Sequence, residues 1–390
     1  MSEEEFIGLS VPNLKGNELK YVTDAVETEW VSTAGPYVAD FEKKIAEYVH
    51  VPAAVSTQNG TSALHISLML SGVTAADAVI VPTLTFIAAV NPTKYIGAEP
   101  VFMDCDDSFC IDPIKLREYC ETECDFTDGH LVDRATCRVV RAMVVVHVFG
   151  NMADMESIMD IATQYNIRVI EDATEALGTY YTEGRYAGRF AGTIGDIGCY
   201  SFNGNKIITT GGGGMIVSHD EDLLAHAKHL TTQAKADQAN FIHDEIGYNY
   251  RMTNLQAALG LAQLEQLEDF IKVKEANYHR YKDAIDALPG LHVQDFRQGI
   301  RSNYWFYSVV FENDESGRDR LIETLKANKI QSRPIWGLIS DQLPYKDART
   351  FRLEKAPWYW RRVVNVPCST NLTSEQVDRV LGVVRGMVAE

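Results

Sequence analysis

Hydrophobic and polar positions in the first 220 residues alternate between strand-like and helix-like segments. Short apolar runs at 78–81, 100–104, 139–148 and 167–170 are typical of buried strands. Segments 86–97 and 152–162 repeat their apolar residues at helical spacing. Continuous apolar strands that alternate with amphipathic helices predict an α/β fold with a mainly parallel sheet covered on both faces. Ligands of such folds bind at the carboxyl ends of the strands.

The pattern changes beyond Thr253. A long helical segment is predicted from Thr253 towards Leu288, with Thr253 and Gln256 as a capping box and Pro289-Gly290 as the stop. A strand at 304–311, a helix at 318–328, a short strand at 331–336 and a final helix after Thr373 follow. This order predicts a large domain over residues 1–260, and a linking helix with a smaller C-terminal α+β domain over residues 261–390.

Composition narrows the functional classes. The formal charge of −18 argues against extended binding to nucleic acid or to an anionic membrane, because both require basic surface. The acidic start MSEEEF lacks a signal peptide's apolar core, and no apolar stretch is long enough for a membrane span. Seven scattered cysteines without C-x-x-C spacing predict reduced thiols in the cytoplasm and no metal site. A small anionic ligand remains compatible with this composition.

The segment SFNGNKIITTGGGG, residues 201–214, places one lysine between a strand-like run at 194–202 and four glycines. The lysine precedes the glycines, so the segment is not a P-loop. Lys206 is either a solvated surface charge or, just beyond a strand end, a nucleophile that can form a Schiff base. Gly211–Gly214 can adopt positive φ angles and let the backbone approach its neighbours closely.

Two further features lie at predicted strand ends. Asp172 follows an apolar run, where a carboxylate either caps a helix or pairs with a protonated ring nitrogen. Gly60, Thr61 and Ser62 open a predicted amphipathic helix with Leu64, Leu68 and Met69 on its apolar face, and its free N–H groups serve either ordinary capping or an anion. A lysine, a buried carboxylate and a phosphate-type helix start are the groups needed to hold pyridoxal 5'-phosphate (PLP) by its aldehyde, ring nitrogen and phosphate.

An ordered set of motifs covers nearly the whole chain. They are Glu29-Trp30-Val31-Ser32, Gly35-Pro36, Phe41-Glu42, Gly60-Thr61-Ser62-Ala63-Leu64, Thr85-Phe86-Ile87-Ala88-Ala89, Glu171-Asp172-Ala173 with Glu175, Ser201-Phe202 with Lys206, Gly247-Tyr248-Asn249-Tyr250-Arg251 and Gln256-Ala257-Ala258. In order and spacing this set resembles the DegT/DnrJ family of PLP-dependent sugar aminotransferases, which have the aspartate-aminotransferase fold of type I. Each motif alone is weak, but the whole series is highly specific.

The resemblance implies roles for individual residues. Lys206 would carry the cofactor and shuttle a proton, and Asp172 would keep the pyridine nitrogen protonated. Phe86 would stack on the ring, with a core phenylalanine as the alternative. Glu175, where many relatives carry glutamine, would lie near the ring and the sugar. The phosphate would be held by Gly60, Thr61, Ser62, Ser201 and, from the second subunit of a homodimer, Asn249.

The resemblance also implies a reaction. Relatives that remove a sugar hydroxyl carry histidine at the lysine position, so Lys206 favours transamination from L-glutamate to a nucleotide-linked keto sugar. The variant around Lys206 resembles most closely enzymes that aminate carbon 4 of a UDP-linked 4-keto-6-deoxy-N-acetylglucosamine. GDP-perosamine synthases, other keto-sugar aminotransferases and a non-catalytic PLP-fold regulator are the alternatives. Residues 339–342 depart from the family pattern, so the nucleotide, the sugar and the orientation of the new amine stay open.

Overall fold

A computed structural model describes residues 5–389 of the chain. Its α-helices are α1 (Glu18–Glu27), α2 (Pro36–Val49), α3 (Gly60–Leu70), α4 (Asn91–Tyr95), α5 (Pro113–Thr122), α6 (Met155–Tyr165), α7 (Glu221–Thr231), α8 (Asn254–Leu264), α9 (Leu267–Ile285), α10 (Gly317–Ala327), α11 (Lys355–Trp360) and α12 (Ser374–Ala389). Short 3₁₀ helices cover Ile87–Ala89, Val148–Gly150 and Ile339–Asp341.

The strands are β1 (Ala53–Thr57), β2 (Ala78–Pro82), β3 (Glu99–Met103), β4 (Cys124–Thr127), β5 (His130–Asp133), β6 (Arg138–Val146), β7 (Arg168–Asp172), β8 (Tyr180–Tyr181), β9 (Ile197–Ser201), β10 (Gly214–Ser218), β11 (Lys235–Asp237), β12 (Ile242–His243), β13 (Leu291–Val293), β14 (Ile300–Arg301), β15 (Tyr307–Phe311), β16 (Arg333–Pro334), β17 (Arg349–Phe351) and β18 (Val363–Val366).

The main sheet has ten strands, and its path runs β1-β10-β9-β7-β6-β2-β3-β17, with β5 on β6 and β4 on β5. Along that path β10 is antiparallel to both neighbours, and the other adjacent pairs are parallel. The predicted α/β fold with a mainly parallel sheet is therefore confirmed. In the register of β6 and β7, Val146 lies beside Asp172, so both strands end at the same edge.

Two helical predictions differ from the structure. The segment predicted from Thr253 to Leu288 begins with the expected capping box at Thr253 and Gln256, but it forms two helices, α8 and α9. Between them the Gln266 N–H bonds to the Gln263 carbonyl, a tighter turn, while the Gln266 amide donates to Glu18 at 2.6 Å. The segment 86–97 forms only a 3₁₀ turn and the short α4.

Helix α3 also differs from the predicted amphipathic pattern. Most of its residues are buried, because it packs between strands β9 and β10 on one side and helices α4 and α7 on the other. A helix that is apolar on most sides is typical of a buried position.

The C-terminal part has its own antiparallel sheet, β13-β15-β18-β16. Strand β17, however, pairs with β3 in the main sheet, and Ile7 near the N-terminus hydrogen-bonds with the backbone at Lys329 and Gln331. The division at residues 260 and 261 stays a prediction.

The cysteine and histidine side chains described here have ordinary structural surroundings. All seven cysteines lie within the described residues and are free thiols. His226 and His229 pair with the acidic residues Glu245 and Asp244 at the surface. In residues 5–389, no group of three potential ligands could hold a metal ion, and no helix is long and apolar enough to cross a membrane.

Candidate active site

The strand ends of the main sheet surround one cavity of about 320 Å³. Strands β7 and β9 end here with Asp172 and Ser201, and β1 leads into the start of α3 at the same edge. Seven of the residues predicted from the sequence line this cavity: Gly60, Thr61, Phe86, Asp172, Glu175, Ser201 and Lys206. Segments up to 146 residues apart in the chain are thus assembled at the edge where parallel sheets bind their ligands.

Lys206 is not a solvated surface lysine. Its side chain is only 11% exposed, and its Nζ lies 3.6 Å from Glu175 Oε1. The same Nζ lies 4.3 Å from the centre of the Trp305 ring. The amine is therefore held inside the cavity between a carboxylate and an aromatic face.

Asp172 is a buried carboxylate at the end of β7. Its Oδ1 accepts the Thr174 N–H at 3.1 Å, and residues 173–178 form turns and no helix. The helix-cap alternative is therefore wrong, because the carboxylate stabilises only a local turn. Burial raises the pKa of Asp172, and the Thr174 hydrogen bond and the Lys206 charge oppose that rise. A carboxylate so placed stabilises a cation that enters the cavity.

Glu171, the residue before Asp172, faces away from the cavity and has a structural role. It accepts a hydrogen bond at 2.8 Å from buried His147 and further bonds from the N–H groups of Gly192, Ile194 and Gly195. Burial tends to raise the pKa of Glu171, but His147 and these backbone donors outweigh it and lower the pKa. Consecutive carboxylates thus point to opposite faces of the sheet, as strand geometry requires.

Glu175 completes the polar wall beside Lys206. Its Oε2 accepts the Phe149 N–H at 2.8 Å. Burial raises the pKa of Glu175 to about 7, although the Lys206 charge and the Phe149 hydrogen bond favour the ionised form. The Glu175 carboxyl group therefore titrates near neutral pH, and it lies 3.6 Å from the Lys206 amine, close enough to exchange a proton with it.

The N-terminus of helix α3 also lines the cavity, and the positive end of its dipole favours an anion. Asn59 caps this helix, because its side chain accepts the Ser62 N–H at 2.8 Å; ordinary capping therefore uses that N–H group, while Gly60 and Thr61 line the cavity. A Cβ at Gly60 would lie 2.9 Å from Ser201 Cβ, so glycine is required for the close approach of these two segments. Gly211 and Gly213 have φ of 75° and 100°, which confirms the expected positive angles beyond the lysine.

These groups fit PLP. The cavity offers an amine for its aldehyde, a buried carboxylate for its ring nitrogen, and hydroxyls with a helix N-terminus for its phosphate. Phe86 lines the cavity and is 52% exposed, so the core-phenylalanine alternative is wrong and its ring is free to contact a planar ligand.

Two predicted residues lie outside the cavity lining. Ser62, the residue after the lining residue Thr61, is buried, and its side chain accepts a hydrogen bond from Gln58. Asn249 lies near the surface, where its side chain accepts from Arg251 at 3.2 Å. The role of Asn249 in a partner's site stays a prediction.

Sequence reasoning missed part of the lining, namely Thr174, Asn203, Asn205, Trp305 and Phe306. The only available signal for the last two was the aromatic run 304–306, which was interpreted as the start of a strand. Strand β15 begins after that run, at Tyr307. Residues 339–342, which depart from the family pattern, do not line the cavity, and the buried Ser340 hydroxyl lies 2.8 Å from the Thr83 hydroxyl.

The fold and this cavity define an aminotransferase of the PLP-dependent type. A model of the DegT/DnrJ/EryC1/StrS aminotransferase family matches residues 12–385. The chain belongs to this family, and it is a PLP-dependent aminotransferase of nucleotide sugars.

Several known proteins are similar to it over nearly their whole length. The GDP-perosamine synthase of Escherichia coli O157:H7 is 37% identical over 374 residues, which cover 96% of each chain. The GDP-perosamine synthase of Caulobacter vibrioides is 37% identical over 385 residues, which cover 98% of each chain. A crystal structure of a DegT DnrJ EryC1 StrS aminotransferase from Brucella abortus has a TM-score of 0.86, with 28% identity and 96% coverage of each chain.

Proposed function

We propose that the protein transfers an amino group from L-glutamate to the 4-keto group of a GDP-linked 6-deoxyhexose, forming a GDP-perosamine-type sugar. The observation that carries this proposal is the 37% identity, over 96% and 98% of the chain, to two relatives named GDP-perosamine synthase. These relatives favour the GDP alternative over the UDP-linked N-acetyl sugar that was the main expectation from the sequence.

The test is an assay of the purified protein with L-glutamate and a matched set of GDP-, UDP- and dTDP-linked 4-keto-6-deoxy sugars. We expect 2-oxoglutarate and the amino sugar to form fastest with the GDP-linked substrate, as measured by kcat/KM for each substrate. A higher kcat/KM with a UDP-linked substrate would overturn the assignment of the nucleotide. Absence of 2-oxoglutarate with every sugar would contradict transamination itself.

Four sets of residues would hold PLP. Lys206 would bind its aldehyde carbon, Asp172 would face its ring nitrogen, and Phe86 would cover one face of its ring. Thr61 and Ser201, with the N-terminus of α3 at Gly60, would hold its phosphate. When bound, PLP supplies an aldehyde that captures amines and a protonated ring that withdraws electrons from an adjacent C–H bond.

The residues of the chain then have distinct tasks. The buried Asp172 carboxylate stabilises a proton on a ring nitrogen, because an opposite charge in a desolvated site favours the protonated form. Lys206 takes and returns protons at its Nζ. Glu175, 3.6 Å from that nitrogen and with a pKa of about 7, accepts or supplies a proton as the charge on Lys206 changes.

We infer that two copies of the chain form the complete site. Asn249 lies outside the cavity of its own chain, close to a hairpin (β11 and β12) that exposes Phe241 and Ile242. Exposed apolar side chains on a hairpin are suited to packing against another protein surface. In the homodimer, Asn249 would reach the phosphate end of the partner's cavity. The seven free thiols favour a cytoplasmic location for this dimer.

A further inference from the structure

Lys274 is an interior lysine to which the reaction above assigns no task. It lies in α9, is 3% exposed, and its Nζ donates to the carbonyl oxygens of Trp305 at 2.9 Å and Cys368 at 2.6 Å. Within residues 5–389 no acidic side chain forms an ion pair with it. Burial lowers the pKa of Lys274. Burying an ammonium group without a counter-charge costs free energy. The buried position of Lys274 and its hydrogen bonds to two carbonyl oxygens therefore need a specific explanation.

The two carbonyls belong to neighbouring strand ends. Trp305 lies just before β15 and Cys368 just after β18, and in this antiparallel pair Tyr307 lies opposite Val366. The Tyr307 hydroxyl donates in turn to the Lys274 carbonyl at 2.8 Å. Lys274 therefore ties the end of the small sheet that faces the cavity to the long helix α9.

Trp305 connects this end of the sheet to the lysine of the active site. Its indole N–H donates to the Asn205 carbonyl at 2.8 Å, one residue before Lys206. Its ring lies 4.3 Å from the Lys206 Nζ, and its backbone N–H donates to Asn303 Oδ1 at 3.0 Å. Asn303 itself donates to the Glu175 carbonyl at 2.9 Å. Displacement of Trp305 would therefore change the surroundings of both the amine and the carboxylate.

We propose that Lys274 is a positioning residue that acts through Trp305, fixing the indole ring over the Lys206 amine. The Lys206 Nζ lies over the ring in cation–π geometry, and Glu175 Oε1 lies 3.6 Å from the same nitrogen. Loss of the ring or of its anchor removes the cation–π contact and opens the Lys206 amine to solvent. The proposal rests on the active-site role of Lys206, but it does not depend on which nucleotide sugar is used.

The test is a double-mutant cycle in the full-length chain freed of cofactor. The variants are Lys274→Met, Trp305→Leu and the double variant. The rate at which acetic anhydride labels Lys206 at fixed pH is measured by mass spectrometry of its peptide. We expect each single variant to speed labelling about three- to tenfold, the range expected for a cation–π contact. The double variant should exceed neither single variant, because both remove one shared interaction.

Lys272→Met is the matched control, since Lys272 lies on the same helix with a 70% exposed side chain. In this variant, acetic anhydride should label Lys206 at the wild-type rate. A wild-type rate in folded Lys274→Met, or an equal increase in Lys272→Met, would overturn the proposal. Effects that multiply in the double variant would also overturn it, because they would show that Lys274 does not act through Trp305.

Two additional variants guard against misfolding. If Lys274→Met is insoluble, Lys274→Gln takes its place in the cycle, with circular dichroism as the check of folding. Trp305→Phe keeps an aromatic face but loses the donor to Asn205, and it should label more slowly than Trp305→Leu. Because labelling uses no substrate, an error in the nucleotide assignment would leave these outcomes unchanged, whereas a failed cycle would leave the sugar assay unchanged.

Discussion

Replacement of Glu175 by glutamine tests the electrostatics of the site most directly. The carboxyl group is buried beside Lys206, and burial raises its pKa from the ordinary value of 4.5 to about 7. Between these values the native chain binds more protons at Glu175 than the unfolded chain does. The stability that this group contributes is therefore complete below pH 4.5 and is lost as the pH rises through 7.

The expected size follows from the same shift. At about 1.4 kcal/mol per pH unit, the interval from 4.5 to 7 corresponds to a loss of about 3 kcal/mol of folding free energy. Glutamine has nearly the same shape and does not ionise. It can still accept the Phe149 N–H, so the Glu175→Gln variant should lack this pH dependence. Relative to the wild type, the variant should gain about 2.5 kcal/mol of stability between pH 5 and pH 8, because part of the loss already occurs below pH 5.

The assay is urea unfolding of the cofactor-free protein at several pH values between 5 and 8, with wild type and variant compared at each value. Taking the difference removes the titration of groups that do not interact with Glu175. Glu121→Gln, at an exposed position on α5, is the control and should parallel the wild type. If the curves of wild type and Glu175→Gln stay parallel across this range, the reasoning about burial is refuted.

Three further predictions concern the cofactor site. Lys206→Ala should lower kcat at least about 100-fold and abolish borohydride trapping of PLP on the peptide that contains residue 206. Trapping of PLP on another lysine would contradict the assigned role of Lys206. Gly60→Ala should weaken PLP binding about tenfold in a fluorescence titration, because its Cβ meets Ser201 at 2.9 Å, and unchanged affinity would argue against a phosphate there. A mixture of Lys206→Ala and Asn249→Ala chains should regain some activity, because one of the two sites in a mixed dimer keeps both native residues. Activity no greater than the sum of the two separate variants would exclude a shared site.

Local patterns in the sequence were sufficient for most of the large domain. The apolar runs at 78–81 and 167–170 became β2 and β7 because a strand buried on both faces must be continuously apolar. The capping box at Thr253 also formed as predicted, because its hydrogen bonds join residues three apart in the chain.

Long-range packing decided the elements that differed. The long helical pattern after Thr253 is divided at Gln266, whose side chain bonds to Glu18, nearly 250 residues away in the chain. Helix α3 has the polar residues expected of an amphipathic helix, yet it is buried by α4 and α7. Periodicity reports the local preference of the backbone, whereas these outcomes depend on neighbours that are distant in sequence.

The sequence by itself determined the chemical groups of the site: the amine of Lys206, the carboxylate of Asp172 and the helix start at Gly60 are recognisable by residue type and motif order. Only the tertiary structure decided what surrounds them. It brought Glu175 to 3.6 Å from the amine, buried it so that its pKa rises to about 7, and placed Trp305 over the same nitrogen. The physical reason is that residue type sets the intrinsic chemistry of a group, whereas its pKa and reactivity depend on desolvation and on charges that approach only when the strand ends meet.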